Sequence, residues 1–537
     1  MKSKPAFLEE NAEKIVQASQ RATQAQAELL VFPELSVNGY MAMDLFLNDD
    51  FVQAGKRKLE EIAKRINPNI SALVGFVDMD KEKRGPENLL LRYNSVALLQ
   101  EGKVSDVFDK TLLPQYDVFS EKRYFHPSRK KLNLAQIAGQ RCGIQVCEDM
   151  WGHLYGQNLG KELRDAGADI LINLSASPWT KGKLETRKKI LEEMSRSNGI
   201  PAIYTNLVGS FDGYDGQLVF DGRSLAYDKE GNLIARGKKF EEDFFLVDTN
   251  AKGRMPTLED SLIDDIYDAL VFGIQEYVGQ EHVYVGSSGG IDSALTLALA
   301  VDALGADKVH SVAMPSDISS PDSLEDAANL AKQLHIQHQV IPIGPMYTAY
   351  VQTLEQAFEG KEKNVTEENL QARIRGDILM ALSNKHGGYV LTTGNRTETG
   401  LGYCTLYGDM AGALSVLGDV DKQEVYALSE LKNQRARKEI IPKNILGKAP
   451  SAGLALGQSD EESLGAPYST LAPLTNAFIE GRESRTNLET QYGPIVPDLL
   501  SRFHANEFKR RQAAPAIKVQ EKSFGHGRRI PIYHGWK

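Results

Sequence analysis

Short apolar runs alternate with polar segments of helical spacing along the first 248 residues of the chain. Runs such as 29–32 and 170–174 have the length and apolar character of buried strands, whereas 51–66 repeats apolar residues at helical intervals. Because helices and short buried strands alternate, we expect a mixed α/β unit here. The pattern predicts helices at 11–27 and 51–66 and strands at 29–32, 71–77, 93–99, 103–108, 143–146, 170–174, 224–227 and 244–247.

A polar segment at 249–257 separates this part from a second α/β pattern, and we expect it to be a linker. An apolar helix at 258–278 opens the second part. The elements predicted after it are a strand ending near 285, a helix from 293, a strand at 309–314, a helix at 323–334 and a strand at 339–343. This order predicts a doubly wound parallel sheet that binds ligands at the carboxyl ends of its strands. Residues beyond about 441 are rich in Gly, Pro and Ser, so we expect mobile or substrate-closing segments there.

The composition narrows the possible functions. A length of 537 residues is enough for about two or three domains. The 62 basic and 72 acidic residues give a net charge of −10, which disfavours nucleic acid as a partner. Three cysteines exclude a disulfide framework and suit a reducing cytosol. No apolar run approaches the roughly 20 residues of a membrane span. We therefore expect a cytoplasmic protein that acts on small molecules, with no nucleic-acid or membrane partner.

The most specific local pattern is Tyr-Val-Gly-Ser-Ser-Gly-Gly-Ile-Asp-Ser at 284–293. A strand end, a turn of small residues and a helix start direct several backbone N–H groups at one anion. No Lys-Ser or Lys-Thr follows the glycines, so a Walker A loop is excluded. The segment resembles the pyrophosphate-binding loop of the ATP pyrophosphatases, which cleave ATP between its α- and β-phosphates. That resemblance implies ATP contacts from Gly286, Ser287, Ser288, Gly289, Gly290, Ile291, Asp292 and Ser293.

Three reactive residue types in the first half each follow an apolar strand: Glu34, Lys110 and Cys147. A cysteine attacks as the thiolate, which requires a base and a positive neighbour. A glutamate can take the thiol proton, and a lysine with the N–H of Glu148 can stabilise an oxyanion. Each residue alone would be an ordinary surface, solvated or core residue. Together, in these contexts, they resemble the Glu-Lys-Cys triad of the nitrilase superfamily.

The nitrilase resemblance covers about 11–248 and implies an αββα sandwich with glutaminase (amidase) activity. It makes Glu121 a second glutamate that helps to hold the lysine and the substrate. In the glutaminase branch of that family, glutamine is expected to contact Tyr116, Glu148, Ser175 and Ser177. Proteins of this fold normally begin with an apolar strand, whereas here the first helix follows a polar decapeptide. We expect that the unit lacks that strand or, in preference, that residues are missing from the sequence.

Five blocks in the second half resemble the NAD synthetase family over about 258–470. They begin at Thr366 (Thr-Glu-Glu-Asn-Leu-Gln-Ala-Arg), Leu391 (Leu-Thr-Thr-Gly-Asn), Tyr403 (Tyr-Cys-Thr-Leu-Tyr-Gly-Asp), Gly418 (Gly-Asp-Val-Asp-Lys) and Ser459 (Ser-Asp-Glu-Glu-Ser-Leu-Gly). The resemblance implies an adenine nucleotide α-hydrolase-like fold in which ATP also contacts Met314 and Thr393. It assigns Mg²⁺, bound with ATP, to Asp292 and Glu398, and deamido-NAD to Asn369, Arg373, Glu398, Asp409 and Lys422. Asp317 and Gly453 depart from the family pattern, at positions where basic and acidic residues are common.

The two resemblances together imply a glutamine-hydrolysing NAD synthetase. Its expected domains are a glutaminase at 1–248, a linker at 249–257 and a synthetase with its tail at 258–537. A homo-oligomer built on a dimer of the synthetase domain is expected from the family. The nearest alternative is another glutamine amidotransferase of the ATP-pyrophosphatase group, such as GMP or asparagine synthetase. A scaffold with a dead site and a nucleic-acid-modifying enzyme are further alternatives, disfavoured by the intact triad and by the acidic charge respectively.

Overall fold

The computed structural model describes residues 1–85, 88–214, 216–251, 255, 261–451, 453–455, 457 and 459–536. The chain divides into two compact units, one formed by Met1–Gly213 with Leu218–Glu259 and the other by Tyr214–Gln217 with Asp260–Lys537. Residues 252–254, 256 and 257 of the predicted linker lie outside the described residues. The two units are described separately below.

The first unit contains strands, α-helices and short 3₁₀ helices. Its strands are β1 (Leu29–Val31), β2 (Ser71–Arg84), β3 (Leu90–Gln100), β4 (Lys103–Asp109), β5 (Leu134–Ile137), β6 (Gln140–Val146), β7 (Ile170–Ser175), β8 (Ala202–Asn206), β9 (Val208–Asp212), β10 (Gly216–Asp221), β11 (Leu225–Tyr227) and β12 (Leu233–Arg236). Its α-helices are α1 (Leu8–Gln24), α2 (Asp49–Arg65), α3 (Leu159–Asp165) and α4 (Lys183–Asn198). The 3₁₀ helices span Met43–Leu47, Glu121–Arg123 and Cys147–Tyr155.

Ten of these strands, all except β9 and β10, form two sheets with the orders β1-β2-β3-β4 and β12-β11-β8-β7-β6-β5. Successive residues of a strand point to opposite faces, so Leu73 of β2 lies in the core between the sheets and Val74 faces α1 and α2. On the second sheet, Ile172 lies in the inter-sheet core and Leu171 packs with residues of α3 and α4. Helices therefore cover the outer face of each sheet. This arrangement confirms the predicted αββα sandwich.

The predicted strand at 244–247 is wrong, because no strand forms there. Phe244 instead packs against the α1–α2 core, and the Arg21 guanidinium lies 4.5 Å from the centre of its ring. Strand β11 pairs in antiparallel fashion with β12 on one side and with β8 on the other. Strands β8 to β10 were not predicted because buried polar residues such as Asn206 and Asp221 interrupt their apolar pattern.

The second unit has its own strands and helices. The strands are β13 (Val283–Gly286), β14 (Val309–Ala313), β15 (Gln337–Val340), β16 (Tyr389–Thr392), β17 (Leu414–Ser415) and β18 (Ala516–Ile517). The helices are α5 (Leu262–Val278), α6 (Ile291–Leu304), α7 (Pro321–Leu334), α8 (Gly344–Leu354), α9 (Val365–His386), α10 (Arg396–Leu401), α11 (Lys422–Ala436), α12 (Lys443–Gly447), α13 (Asp460–Leu464), α14 (Tyr468–Glu480), α15 (Arg485–Tyr492), α16 (Val496–Ala505) and α17 (Glu507–Arg510).

Strands β13 to β18 pair in parallel in the order β15-β14-β13-β16-β17-β18. The chain first moves outward from β13 to β15, and it then continues on the other side of β13 with β16. The order therefore reverses between β13 and β16, which is where doubly wound sheets bind their ligands. This topology confirms the predicted parallel sheet. It places the segment after β13 beside the segment after β16.

Residues 460–510 of the tail are largely helical, and these helices were not predicted from the sequence. Helices α13 to α16 bury a common apolar cluster that includes Leu471, Phe478 and Phe503. Glycines such as Gly465 and Gly481 have positive φ and end these short helices in the left-handed conformation. The Gly-rich composition thus reflects helix ends.

Among the described helices, none has both the length and the apolar character required to cross a bilayer.

Candidate active sites

The centre of the first unit is a fully buried lysine shared by two glutamates. Lys110, directly after β4, donates from Nζ to Glu34 Oε1 and to Glu121 Oε1, each at 2.8 Å. Glu34 and Lys110 are 0% exposed. Tyr40 also donates to Glu121 Oε1, at 3.1 Å. The structure therefore brings Lys110 together with Glu34, 76 positions away along the chain, and with Glu121, 11 positions away.

Glu34 is held by further donors and by close backbone packing. The Asn94 amide donates to Oε1 at 2.7 Å and the Ala176 N–H donates to Oε2 at 2.8 Å. A Cβ on Gly75 of β2 would lie 2.3 Å from the backbone nitrogen of Leu35, so only glycine lets the turn with Glu34 lie against the sheet. Both carboxylate oxygens of Glu34 consequently have fixed directions.

Cys147 lies at the turn between β6 and a 3₁₀ helix, with φ of +43° and 4% exposure. Such a φ is strained for a residue with a Cβ. The Asp149 carboxylate holds the turn by accepting from the backbone N–H groups of Val146, Thr111 and Leu112 at 2.9, 3.0 and 2.8 Å. Because Thr111 follows Lys110, the same carboxylate fixes the nucleophile turn relative to the lysine.

The electrostatics of this site keep the thiol protonated at rest. Burial raises the pKa of Cys147 well above its usual value, and Glu34 raises it further, while Lys110 opposes both. Burial alone would lower the pKa of Lys110, but Glu121 and Glu34 raise it well above normal. A permanent cation and a carboxylate base therefore surround a neutral thiol. This arrangement suits proton transfer to the carboxylate as the sulfur attacks.

Of the residues expected to bind glutamine, Tyr116 contacts Glu148 directly. Tyr116 OH donates to both of its carboxylate oxygens, at 3.0 and 3.2 Å. Tyr155 OH donates to Oε1 at 2.9 Å, a contact that sequence reasoning missed because no motif includes Tyr155. Ser175 Oγ donates to Asn173 Oδ1 at 2.6 Å. The two tyrosines are partly exposed, whereas Glu148 is buried.

Ser177 belongs to a buried network built around Arg187 of α4. Arg187 donates to the carbonyl oxygens of Ser177 and Pro178 at 2.8 and 3.0 Å and pairs with Asp221 at 2.7 Å. Arg187 and Asp221 are 0% exposed. The segment that they hold is the one from which Ala176 donates to Glu34. Arg187 therefore positions the base through the backbone.

In the second unit, the predicted phosphate loop joins β13 to α6. Ser288 and Ser293 bond within the loop, with the Ser288 N–H and Oγ at 3.3 and 3.2 Å from Ser293 Oγ. Gly289 has φ of +73°, and a Cβ there would lie 2.3 Å from the Ser323 carbonyl oxygen. The loop thus packs directly on α7. Asp292 lies in the first turn of α6, whose N-terminus favours an anion.

A second shared lysine lies at the switch point of the parallel sheet. Lys422, the first residue of α11, donates from Nζ to Asp292 Oδ2 at 2.5 Å and to Glu398 Oε1 at 3.3 Å. Asn395 donates to Asp292 Oδ1 at 3.0 Å. Tyr468 OH donates to Glu398 Oε1 at 3.2 Å and was not predicted. Sequence reasoning missed Tyr468 because it lies in the tail, 70 positions from Glu398.

The predicted metal ligands can serve one cation. Among the described residues, no group of three or more His, Cys, Asp and Glu side chains is arranged to hold a metal ion. Asp292 and Glu398 nevertheless both reach the ammonium of Lys422, so their oxygens converge on one cationic position. Mg²⁺ typically takes one or two carboxylates together with substrate phosphates. The residues present therefore fit Mg²⁺ bound with ATP.

Of the remaining predicted residues, three lie around one loop and two lie at the ends of strands. Asn369 Oδ1 accepts from Thr405 Oγ1 at 2.8 Å, Asp409 accepts from the Thr405 N–H at 2.6 Å, and Arg373 donates to the Leu406 carbonyl at 3.2 Å. These contacts place three of the five predicted deamido-NAD residues around one loop. None of these hydrogen bonds joins them to the other two, Glu398 and Lys422. Met314 and Thr393 directly follow β14 and β16, and the departures Asp317 and Gly453 lie on exposed segments.

Known families match both units. The carbon-nitrogen hydrolase family matches residues 1–253, and the NAD synthase family matches residues 262–513. Curated relatives named glutamine-dependent NAD(+) synthetase from Synechocystis sp. and Thermotoga maritima are 38% and 37% identical to the chain. The alignments cover 98% and 99% of this chain and 96% of each relative. This chain belongs to the glutamine-dependent NAD(+) synthetase family.

Solved structures agree with this assignment. The structure of a glutamine-dependent NAD+ synthetase from Acinetobacter baumannii in complex with adenosine diphosphate is 34% identical, with a TM-score of 0.76, and the match covers 100% of this chain and 98% of that one. A synthetase from Cytophaga hutchinsonii, 22% identical, shares the fold with a TM-score of 0.84 over 99% of this chain and 96% of that one.

Arg187→Lys tests whether Arg187 positions the base. Lysine keeps the charge beside Asp221 but lacks the planar fork that bonds both carbonyls and the carboxylate. We expect glutamine hydrolysis to fall by about 10- to 100-fold, with ammonium-driven synthesis of NAD unchanged. The matched control is Lys188→Met, one position along α4 and partly exposed. Unchanged glutamine hydrolysis in Arg187→Lys would contradict the assignment.

Stability should depend on the pH through Glu121. Burial raises the pKa of Glu121 from 4.5 to about 7, with Glu34 adding to the rise and Lys110 opposing it. Its contribution to stability is therefore complete below pH 4.5 and is lost as the pH rises through 7. Relative to Glu121→Gln, the wild type should lose at most about 1.4 kcal/mol per pH unit in this window. Melting curves of both proteins from pH 5 to 8 measure this, and a constant difference would refute it.

Proposed function

We propose that this chain makes NAD from deamido-NAD, ATP and glutamine, with water consumed and AMP, pyrophosphate and glutamate released. The observation that carries the proposal is the presence of two complete constellations in one chain. One is the buried Glu34–Lys110–Cys147 group, which suits amide hydrolysis. The other is the phosphate loop with Asp292, Glu398 and Lys422, which suits nucleotide chemistry. Membership of the synthetase family supports the same conclusion.

In the first unit, Cys147 attacks the side-chain carboxamide of glutamine while Glu34 takes the thiol proton. Lys110 and the N–H of Glu148 stabilise the oxyanion of the tetrahedral intermediate. Glu34 then gives the proton to the departing nitrogen, and ammonia leaves. Water, activated by Glu34, hydrolyses the thioester and releases glutamate. Glu148 with Tyr116 binds the amino-acid end of the substrate.

In the second unit, the nicotinic-acid carboxylate of deamido-NAD attacks the α-phosphorus of ATP. The bond to the β-phosphate oxygen breaks and pyrophosphate leaves, with its charge stabilised by the N–H groups of the 288–293 loop and by Lys422. Asn369, Arg373 and Asp409 hold the dinucleotide acid. Ammonia then attacks the acyl-adenylate, AMP leaves, and the amide of NAD remains.

Mg²⁺ is the cation that we assign to Asp292 and Glu398. When bound, it neutralises phosphate charge during ATP cleavage. Lys422 places its ammonium between the two carboxylates. The two carboxylates would orient the triphosphate through Mg²⁺, and the lysine would do so through its own charge.

Ammonia has to reach the second site unprotonated. At neutral pH about 99% of free ammonia is ammonium, which is not a nucleophile. Release of ammonia by glutamine hydrolysis within the same chain supplies the neutral form directly. We infer that it passes from the first site to the second without mixing with the solvent pool.

Cys147→Ala tests whether glutamine hydrolysis and NAD synthesis take place at two separate sites. With ammonium it should make NAD at close to the wild-type rate, and with glutamine it should make none, because only the thiol opens the carboxamide. Cys142→Ala, a second buried cysteine on β6, is the matched control and should use both donors. A chelator should stop AMP formation by the wild type and leave glutamine hydrolysis intact. Equal loss with both donors in Cys147→Ala would refute the two-site proposal.

The same assay separates this function from its nearest alternative. AMP should form from ATP when deamido-NAD is supplied, and neither xanthosine monophosphate nor aspartate should replace it. AMP formation with xanthosine monophosphate or with aspartate would assign the chain to another amidotransferase of the same group.

We propose further that the second unit mediates a homo-oligomer. No residue of α8 is fully buried, although Met346 and Tyr350 are apolar and about 40% exposed. Val340 on the edge strand β15 is 54% exposed and Val365 at the start of α9 is 62% exposed. Apolar residues at a helix and a sheet edge suit a second copy of the chain.

Tyr350→Lys should convert the oligomer to smaller species, because a buried charge without a partner is costly. Light scattering after gel filtration measures the mass of the wild type and the variant. Leu246→Lys, an exposed apolar residue of the first unit, is the control and should leave the mass unchanged. A wild-type protein with the mass of one chain would disprove the oligomer.

A further inference from the structure

The segment after β18 is built into the second unit through one buried carboxylate. Asp419 is 1% exposed and accepts from the backbone N–H groups of Val519 and Gln520, each at 2.8 Å. Ser523 Oγ donates to the same carboxylate at 2.7 Å. Residues 519–523 are thus fixed to a side chain about 100 positions earlier in the chain.

The same segment holds the first turn of α10. Arg396, the first residue of that helix, is 1% exposed and donates to the Asp419 carboxylate and to the Lys522 carbonyl, the latter at 2.9 Å. Glu398 follows two positions later. The direction of the Glu398 side chain therefore depends on a helix start that is anchored to Asp419 and to residue 522.

The segment also reaches the first turn of α11. Gln520 Nε2 donates to Glu424 Oε2 at 2.8 Å, and that oxygen accepts from the Asp421 N–H at 3.1 Å. Asp421 in turn caps the helix by accepting from the N–H groups of Gln423 and Glu424, each at 3.0 Å. Lys422 lies between these capping residues, so its backbone is fixed by a network that ends on Gln520.

We propose that residues 519–523 form a positioning segment for the nucleotide site, which sets the separation between Glu398 and Lys422 and so aligns both with Asp292. The proposal rests on the function assigned above. The segment touches the first turns of both helices, whereas none of its hydrogen bonds described above reaches Asn369, Arg373 or Asp409. Its loss should therefore affect the chemistry of ATP through Glu398 and Lys422 more strongly than the binding of deamido-NAD, which keeps Asn369, Arg373 and Asp409. A misplacement of about 1 Å can cost on the order of 100-fold in rate.

The test is the exchange of labelled pyrophosphate into ATP by the full chain, with deamido-NAD and Mg²⁺ and without glutamine or ammonium. In the double variant Gln520→Ala with Ser523→Ala, we expect kcat for exchange to fall by about 10-fold or more. Glutamine hydrolysis should be unchanged, and the KM for deamido-NAD should change less than kcat. The melting temperature should fall only slightly, because Asp419 keeps Arg396 and the N–H groups of residues 519 and 520 as donors. The Mg²⁺ concentration for half-maximal exchange should rise, because the two carboxylates are less well aligned.

The control is Glu521→Ala, in the middle of the segment, which removes an exposed ion pair with Arg482 at 3.1 Å. It should behave like the wild type, and Ser523→Thr with Gln520 intact should keep most of the exchange rate because it keeps the hydroxyl. A double variant with wild-type kcat, or one whose rate falls only in step with its melting temperature, would overturn the positioning role. Absence of exchange in the wild type would instead overturn the proposed function.

Discussion

The ammonium of Lys110 is fully buried, and Glu34 and Glu121 each accept a hydrogen bond from it at 2.8 Å. Burying an ion costs several kcal/mol unless partners replace its water shell. Both glutamates therefore have to stay within hydrogen-bond distance of the ammonium, which fixes the positions of the turns that carry them. The Gly75 contact, the Asp149 carboxylate and the Arg187 network all serve this requirement. Lys422 repeats the arrangement in the second unit between Asp292 and Glu398.

Both lysine side chains are buried, and they differ in the exposure of their carboxylate partners. Lys110 keeps both glutamates at equal distances, whereas Lys422 lies at 2.5 Å from Asp292 and 3.3 Å from Glu398, whose carboxylates are partly exposed. A fixed cation suits a reaction in which one oxyanion forms at one place. A buried lysine between two partly exposed carboxylates suits a reaction in which phosphate charge arrives with the substrate and leaves with pyrophosphate. The difference in exposure of the carboxylates thus follows the difference in proposed chemistry.

Local sequence patterns predicted a mixed α/β first unit and the parallel sheet of the second, whereas the αββα sandwich and most of the residues around each lysine came from the resemblance to known families. The motif at 284–293 and the strand ends before Glu34, Lys110 and Cys147 can be recognised from neighbouring residues in the sequence. The contacts of Tyr155, Tyr468 and Asp419 have none, because their partners are brought together only by the fold. The incorrect strand at 244–247 and the helices of the tail that were not predicted have the same cause. Apolar content and glycine content describe burial and backbone freedom, and neither specifies the partner that decides between a strand, a loop and a helix end.

Cys147 keeps a left-handed backbone at the end of β6, with φ of +43°. This conformation costs a residue with a Cβ on the order of 1 kcal/mol, and glycine would adopt it without that cost. A glycine at this position would therefore relax the turn while removing the sulfur. The first unit tolerates a local loss of stability at the residue whose chemistry it needs. In evolutionary terms, selection for the nucleophile acts here against selection for a relaxed backbone, and a descendant that no longer hydrolyses glutamine would be free to resolve that conflict.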